Sequence, residues 1–507
     1  MIRYIVEVDA YDPVAAQEET QRFASQYGGF TTAATDTPAN THFKPVLKNP
    51  GNFERRLFAR STTQGRSDVG FGEIVLDNTN GSLDFLIDYA FDGRACRLYR
   101  WDDTGLFSSR ELIITGTVEQ PDFSETEITL LFRDRLAELN DTQLTQEVYA
   151  GATTSTGNSA EGRPEDIQGQ PKPVGFGVLL SVPAVPVNVF DLLYQPTSRP
   201  MASVQAVRDA GVALTATSNY ADIPALRAAS LSPGQYATCF SLGLIRLGGS
   251  PSGVIAVDFT TLDTTAADIV DAMLLYAGFG GLSVVSRIDL NAINAAPCGI
   301  WVNGTDSVLR AATTVLNSIG AYLTVNRSGQ FIAGRLDLPT GTPQATWRDY
   351  EYLRGVERVR TGDQGQGVPA KAVTVRYARR WSNEAADSFA GSLSAEDRAL
   401  LSQEYQSVKE EDATVAVKHL LAPELTFDTL LTNQADAEAE ATRRLNIYKA
   451  RRDRFELSLP ARLGPIDLGD EYGLQLNRYG LENGKSFRLI GLVEDYESET
   501  LTAEIWG

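Results

Sequence analysis

Residues 443–507 read RRLNIYKARRDRFELSLPARLGPIDLGDEYGLQLNRYGLENGKSFRLIGLVEDYESETLTAEIWG, and this stretch decides the fold. Apolar and polar residues alternate along much of it, which is typical of strands with one buried face and one face toward water. Gly, Asp and Asn residues between the alternating runs predict turns. Because short antiparallel strands leave open edges, the pattern predicts a closed or two-layer β architecture. The predicted strands are 455–459, 471–476, 486–495 and 501–506.

Two runs in this stretch resemble the C-terminal barrel of baseplate hub proteins, the tail-tip proteins of long-tailed phages and gene-transfer agents. They are LPARLGPIDLGDEYGLQLNRYGL at 459–481 and FRLIGLVEDYESETLTAEIWG at 487–507. Residues 60–101, in which a strand leads into a small helix and returns through a DGR turn, resemble the N-terminal barrel of the same family. KPVGFGVLLSVPAVPVNVFDLL at 172–193 resembles the continuation of that barrel, and LTVNRSGQFIAGRL at 323–336 resembles the family's small α/β domain.

The chain is long enough for three to four domains at about 150 residues each. Residues 1–150 predict an N-terminal tube-like β-barrel, and residues 151–262 predict a β-rich domain or an extension of that barrel. Residues 263–345 predict a small α/β domain with two helices and a hairpin. Residues 346–507 predict a C-terminal β-barrel with preceding helices. The expected fold class is therefore mainly β with α+β insertions, with two tail-tube-like β-barrel domains plus smaller β and α/β domains.

Apolar residues spaced three and four apart predict helices that each bury one face. Ser394 is a suitable N-cap for one of them, and Thr305 or Asp306 for another. The predicted helices are 223–229, 266–277, 308–319, 394–408 and 435–448.

Net charge and composition exclude several classes of function. The 45 basic and 65 acidic residues give a net charge of −20, which opposes nucleic-acid binding because such binding needs clustered Lys and Arg. The charge fits a surface past which DNA slides, and it equally fits plain solubility. Three dispersed cysteines and two histidines exclude a disulfide framework and a Cys/His zinc site. The N-terminus has no signal-peptide pattern, and no apolar window predicts a membrane-spanning helix.

Residues capable of chemistry are present without a convergent pattern. His42 and His419 lie far from any nucleophile elbow, and Cys96, Cys239 and Cys298 are expected to be buried, inert thiols. Glu494 and Asp495 are interpreted as one buried and one outward residue of an edge strand. We therefore predict no catalytic residue, no cofactor and no metal site.

An arginine-rich segment precedes the C-terminal strands. It fits contact with an acidic partner, and it also fits the charge balance at a helix C-terminus, which is the more common arrangement. The residues are Arg443, Arg444, Arg451, Arg452 and Arg454.

The resemblance implies a structural, non-enzymatic hub protein in the virion, at the tail tip, assembled in the bacterial host cytoplasm. It implies a homotrimer whose two barrels per chain form a ring that continues the tail tube and frames the DNA channel. The implied partners are the distal tail protein, other baseplate or central fibre proteins, and the tape-measure protein. DNA would pass without specific binding, and no stable membrane insertion is expected. Some relatives hold an iron–sulfur centre, but three dispersed cysteines oppose one here.

Two other functions stay open at this stage. One is a carbohydrate-active enzyme acting on cell-wall or capsule glycans, which would need only a pair of suitably spaced carboxylates. The other is a receptor-binding tail protein. Trimeric assembly with a through-channel would favour the hub, release of sugars would favour the enzyme, and saturable binding to host cells would favour the receptor-binding protein.

Overall fold

A computed structural model describes residues 2–25, 29–152, 159–349, 354–363, 365–382, 384–461 and 466–507. Residues 462–465, within the first run that resembles the hub barrel, lie outside the described residues. The strands are β1 (Ile2–Asp12), β2 (Gln17–Ser25), β3 (Phe30–Thr31), β4 (His42–Arg56), β5 (Phe71–Asp77), β6 (Ala95–Asp102), β7 (Glu111–Val118), β8 (Asp122–Phe123), β9 (Glu127–Arg133), β10 (Val174–Pro183), β11 (Val185–Asn188), β12 (Leu193–Gln195), β13 (Ser203–Asp209), β14 (Val212–Ala213), β15 (Thr215–Asn219), β16 (Gln235–Cys239), β17 (Leu244–Leu247), β18 (Ile255–Thr260), β19 (Gly299–Val302), β20 (Ala321–Val325), β21 (Phe331–Arg335), β22 (Thr346–Arg348), β23 (Gly355–Val359), β24 (Ala372–Tyr377), β25 (Gln406–Glu411), β26 (Glu424–Asp428), β27 (Arg454–Pro460), β28 (Glu471–Gln475), β29 (Lys485–Asp495) and β30 (Thr500–Trp506).

The helices are fewer and mostly short. They are α1 (Leu136–Asp141), α2 (Pro164–Ile167), α3 (Ile223–Ala228), α4 (Ala266–Tyr276), α5 (Val284–Ile293), α6 (Val308–Asn317), α7 (Ala395–Leu401), α8 (Ala413–Lys418) and α9 (Gln434–Tyr448), with single 3₁₀ turns at Asp84–Asp88, Phe107–Ser109 and Phe240–Leu242. The fold is therefore mainly β, as the sequence predicts.

Contacts divide the chain into two compact units. Unit 1 comprises Met1–Asp141, Tyr322–Gly367 and Arg451–Gly507, and unit 2 comprises Thr142–Ala321 and Val368–Ala450. This grouping follows spatial contacts, whereas the four-part division of the sequence stays a prediction.

Unit 1 contains a closed barrel of seven strands. The strands follow the order β1-β6-β7-β9-β5-β4-β2, and β2 returns to pair with β1. The neighbours are antiparallel except for β2 and β4, which run parallel. Alternation places Ile128, Leu130 and Phe132 of β9 in the buried core. Closure removes the open edges that such a sheet would otherwise expose.

The C-terminal strands continue the barrel sheet. They follow the order β22-β28-β29-β30-β27-β23. One end of β29 pairs with β28 and its other end pairs with β4, while β30 runs along its opposite edge. The four strands predicted from residues 443–507 are thus confirmed as β27 to β30, within one or two residues at each end.

Unit 2 is built from smaller sheets and helices. Two five-stranded sheets have the orders β14-β13-β18-β10-β19 and β11-β12-β17-β16-β15, and a three-stranded sheet has the order β25-β24-β26. Helix α9 packs against β24 and β25, and α4 packs against α5 and α6. The predicted helix 394–408 is too long, because α7 ends at Leu401 and the chain then enters β25.

Candidate assembly site

A largely buried cluster of four charged side chains and one tyrosine lies in unit 1, where β29 passes from β28 to β4. We call it the Glu494 cluster, and its members are Arg55, Arg327, Asp467, Glu494 and Tyr496. Arg327 donates from Nη1 and Nη2 to the two carboxylate oxygens of Glu494, at 3.2 and 2.9 Å. Tyr496 donates its hydroxyl to Glu494 Oε1 at 2.9 Å, and Arg55 Nη1 donates to Asp467 Oδ1 at 2.9 Å. The Glu494 side chain is only 5% exposed.

Burial and charge act in opposite directions within this cluster. Burial alone would lower the pKa of Arg327, but the adjacent Glu494 carboxylate outweighs it and raises that pKa above its ordinary value. Burial raises the pKa of Tyr496, and the negative charge of Glu494 raises it further. The Glu494 carboxylate thus favours the charged form of Arg327 and the neutral form of Tyr496.

A second cluster joins the same strands through Glu504 of β30. Arg56 of β4 donates to Glu504, although the two residues are 448 positions apart in the sequence. Arg56 Nε also donates to Glu54 Oε1 at 2.6 Å, and Arg454 Nε lies 2.6 Å from Glu504 Oε1. Gly491 leaves room for these groups, because a Cβ there would lie 2.9 Å from Arg56 Nη1. The two clusters link β4 to the C-terminal strands. Their charged partners meet only when β4 and β29 pair in the observed register.

This arrangement corrects the interpretation of Glu494. The sequence placed Glu494 and Asp495 on an edge strand, whereas β29 is paired along both sides. Glu494 is buried, and the half-buried Asp495 accepts from the Ser498 hydroxyl at 2.7 Å. Sequence reasoning missed the cluster because Arg55 and Arg327 lie hundreds of residues from Glu494.

The arginine-rich segment is partly a buried feature of unit 2. Arg443 Nε and Arg444 Nε donate to the carboxylate of Glu440, at 2.8 and 2.6 Å. The Glu440 side chain is 1% exposed. Burial alone would raise its pKa, but the two guanidiniums hold the pKa below its ordinary value. Arg443 and Arg444 therefore point inward, contrary to both roles considered from the sequence.

The cysteines and histidines do not converge on a site. Cys96, Cys239 and Cys298 are fully buried, as predicted. Burial raises the pKa of the Cys96 and Cys298 thiols to about 12, which keeps them protonated and unreactive at neutral pH. His42 is exposed at the start of β4, with Nδ1 3.2 Å from Thr31 Oγ1, and His419 follows α8. Within the described residues, no group of three or more His, Cys, Asp or Glu side chains is arranged to hold a metal ion.

Unit 2 exposes two apolar surfaces. The first is the α5 face, formed by Val284, Val285 and Ile288, whose exposed fractions are 71%, 68% and 60%. Leu290, by contrast, is buried. The second surface, the 417–421 segment, begins in the last turn of α8 and continues beyond it. The exposed fractions of Val417, Leu420 and Leu421 are 82%, 92% and 85%. Because large contiguous apolar patches are typical of surfaces that bind other proteins, these two surfaces are candidates for contact with another chain.

The sequence did not predict α5 or either surface. The available signal was the spacing of Val284, Val285, Ile288 and Ala292, which places four apolar residues on one helical face. No helix among the described residues is long and apolar enough to cross a membrane.

Comparisons with solved structures give alignments over most of the chain at low sequence identity. No protein-family model and no curated protein sequence matches the chain. A tail protein from Neisseria meningitidis aligns over 99% of this chain and 96% of its own, with 10% identity and a TM-score of 0.45. A 43 kDa tail protein of prophage MuSo2 from Shewanella oneidensis aligns over 92% and 96%, with 11% identity and a TM-score of 0.39. A chain in the virion of a native gene transfer agent aligns over 73% and 91%, with 13% identity and a TM-score of 0.43.

Proposed function

We propose that the chain is a structural baseplate hub protein of a phage-like tail tip. Three copies would form a ring that continues the tail tube and frames the DNA channel. The observation that carries the proposal is the closed seven-strand barrel of unit 1, which continues without a break into the C-terminal strands. A continuous sheet of this kind makes a stiff wall, and the proposed function requires stiff walls rather than a catalytic cleft.

The surfaces of unit 2 support self-association. Each chain carries a net charge of −20, so copies repel one another at long range. We expect contacts between copies to draw on apolar burial, because the α5 face and the 417–421 segment offer exposed apolar side chains on two different elements. When one surface meets a different surface on the next copy, the contact is heterologous, and such contacts close into rings when the rotation allows.

The acidic charge suits a channel wall. Carboxylates facing a lumen repel DNA phosphates within a Debye length of about 8 Å at physiological salt, so DNA would pass without adhering. The proposed partners are the distal tail protein, other baseplate or central fibre proteins, and the tape-measure protein. The proposed location is the tail tip of the virion, after assembly in the bacterial cytoplasm, and no enzymatic activity is proposed.

Light scattering coupled to gel filtration tests the assembly. The proposal expects a mass of three chains at micromolar concentration and physiological salt. A second sample, with Val284→Ser and Ile288→Ser combined, is expected to shift toward one chain. The hub proposal would be contradicted if the unaltered protein had the mass of one chain up to high micromolar concentration. If it also released sugars from purified cell walls, the carbohydrate-active enzyme would be favoured instead.

A further inference from the structure

A groove of about 430 Å³ lies on the outer side of the unit 1 barrel, where β4, β5 and β9 run side by side. Pockets of roughly 300–1,000 Å³ are common binding sites. Side chains alternate between the two faces of a strand, so Ile74 of β5 points into the barrel core while Phe71 and Glu73 point outward. We call this surface the Phe71 groove, and its lining side chains include Glu54, Phe71, Glu73, Glu119, Leu131 and Arg133.

Strand pairing fixes the positions of these side chains. β5 pairs with β4 along one edge and with β9 along the other, so Phe71 lies between Glu54 and Arg133. Two residues further along β5, Glu73 lies opposite Leu131 of β9. Because both neighbours of β5 are already in place, the groove exists before a partner arrives, and this lowers the ordering cost of binding.

The Phe71 ring lacks a partner that comparable rings in the chain have. Among the described residues, the exposed phenylalanines are Phe71, Phe85 and Phe190, and Phe71 is 57% exposed. Lys44 Nζ lies 4.8 Å from the centre of the Phe85 ring, and the Arg163 guanidinium lies 5.0 Å from that of Phe190. No cation or second ring among the described residues covers Phe71. Since the face of an aromatic ring attracts cations, Phe71 offers an unoccupied face to a cation from outside the chain.

Two of the carboxylates in the groove lack a cation of their own. Glu73 is exposed and forms no ion pair or side-chain hydrogen bond within the described residues. Glu119 shares Arg133 with Asp141, because Arg133 donates from Nη1 to Glu119 at 3.1 Å and from Nη2 to Asp141 at 2.9 Å. These three acids therefore face one base.

The remaining carboxylate of the groove, Glu54, is balanced. It accepts from Arg56 Nε at 2.6 Å, and Arg56 also donates to Glu504, which has Arg454 as a second partner. These two acids and two bases cancel, so the groove together with its ion-pair partners carries two surplus negative charges. The acids do not converge on one point, since no group of three or more that could hold a metal ion occurs among the described residues. The shape and charge thus favour a bulky organic cation.

We propose that the Phe71 groove binds a basic segment of a partner protein, with an arginine side chain lying over the Phe71 ring and its guanidinium against Glu73. Side chains two residues apart on one strand are about 7 Å from each other, so one long side chain can contact both. Arginine suits this pair because its planar guanidinium stacks on rings and binds carboxylates through two hydrogen bonds. The net charge of −20 attracts a basic partner at long range. This inference goes beyond the hub proposal, because it assigns the groove a ligand whatever the number of chains in the assembly.

Fluorescence anisotropy with the fluorescein-labelled peptide Arg-Ala-Arg-Ala-Arg tests the groove in the full-length chain at about 150 mM salt. The test variant combines Phe71→Ala with Glu73→Gln. The matched control combines Leu106→Ala with Glu125→Gln, an exposed apolar residue and an exposed acid of unit 1 outside the groove, so that net charge changes equally. A third variant, Phe71→Trp, keeps an aromatic ring in the groove. Circular dichroism checks folding, and light scattering checks the number of chains in each sample.

We expect saturable binding by the unaltered protein and a loss of at least about fivefold in the test variant, which lacks both the ring and the carboxylate. Phe71→Trp is expected to bind at least as tightly as the unaltered protein, because tryptophan attracts cations most strongly. The control should stay within about twofold, as is usual for surface substitutions.

The proposal is overturned if the unaltered protein shows no saturable binding, or if the control or Phe71→Trp loses as much affinity as the test variant. It is also overturned if spermidine, or the same peptide with citrulline in place of arginine, displaces the probe as effectively as the unlabelled arginine peptide does. Because the number of chains is measured separately, failure here leaves the hub proposal standing, and a monomeric protein leaves the groove standing.

Discussion

The Glu494 cluster of unit 1 and the α5 face of unit 2 depart from the ordinary distribution of residues in opposite directions. One places charged groups in the interior, where each must find a partner. The other leaves Val284, Val285 and Ile288 in water, where an apolar face gains nothing from folding. The buried charges connect strands within one chain, so they specify register. The exposed apolar residues keep most of their surface in water, so the hub proposal assigns them to contact with a second copy.

The largest effect is expected from breaking the Glu494 cluster. Glu494→Ala leaves Arg327 buried without the carboxylate that balances it, and we expect the free energy of unfolding to fall by about 3–5 kcal/mol. Urea denaturation followed by tryptophan fluorescence measures this. Glu125→Ala, which removes an exposed acid of the same unit, is the control and should stay within about 0.5 kcal/mol. Equal effects of the two substitutions would contradict the role given to the cluster.

The second prediction concerns Asp134, another buried acidic residue of unit 1. Its carboxylate accepts from the backbone N–H groups of Gly70 and Leu136, both at 2.8 Å, while burial raises its pKa to about 7 from an ordinary 3.8. Between those values the folded chain holds a proton that the unfolded chain has released. Stability should therefore decrease as pH rises from about 4 to about 7, by up to about 1.4 kcal/mol per pH unit.

Asp134→Asn tests that assignment. It removes the titrating group and keeps an acceptor, so the urea midpoints at pH 5 and pH 7 should move closer together than they are in the unaltered protein. An unchanged difference between the two midpoints would show that another group causes the pH dependence.

A smaller loss of stability is expected when Arg327 and Glu494 are replaced together. Arg327→Met with Glu494→Leu removes the buried pair without leaving either charge alone, and well-packed replacements of this kind are often close to neutral. We expect the double variant to recover at least half of the stability that Glu494→Ala loses. If it is as unstable as the single variant, packing rather than unpaired charge explains the loss.

The smallest effect on stability is expected at the α5 face. Val284→Ser with Ile288→Ser changes side chains that are already in water, so the free energy of unfolding should stay within about 0.5 kcal/mol. The same variant should lose self-association in sedimentation velocity measurements. A strongly destabilised variant would mean that this face packs within the chain.

Local pattern predicted the strands well and the longer-range arrangement poorly. Alternation located β27 to β30, because one face of each strand is buried and the period of two is visible in the residues. Helix α7 was predicted seven residues too long, since residues 406–411 pair with β24, a partner that lies about 30 residues earlier. Ser394 caps α7 as predicted, by accepting from Asp397 N. Ser307, rather than Thr305 or Asp306, caps α6.

The sites were harder to predict than the elements, for physical reasons. Glu494 is buried next to Arg327 and Arg55. Because both arginines lie far from Glu494 in the sequence, the local pattern around Glu494 does not predict these contacts. Helix α5 was not predicted, although Val284, Val285, Ile288 and Ala292 lie at helical spacing in the sequence.

Electron microscopy of the purified full-length protein tests the central claim most directly. The account predicts particles with three-fold symmetry and a through-channel, with the seven-strand barrel of unit 1 in the ring wall and the α5 face covered by a neighbouring copy. Single chains without a channel, at concentrations where light scattering also reports one chain, would contradict it.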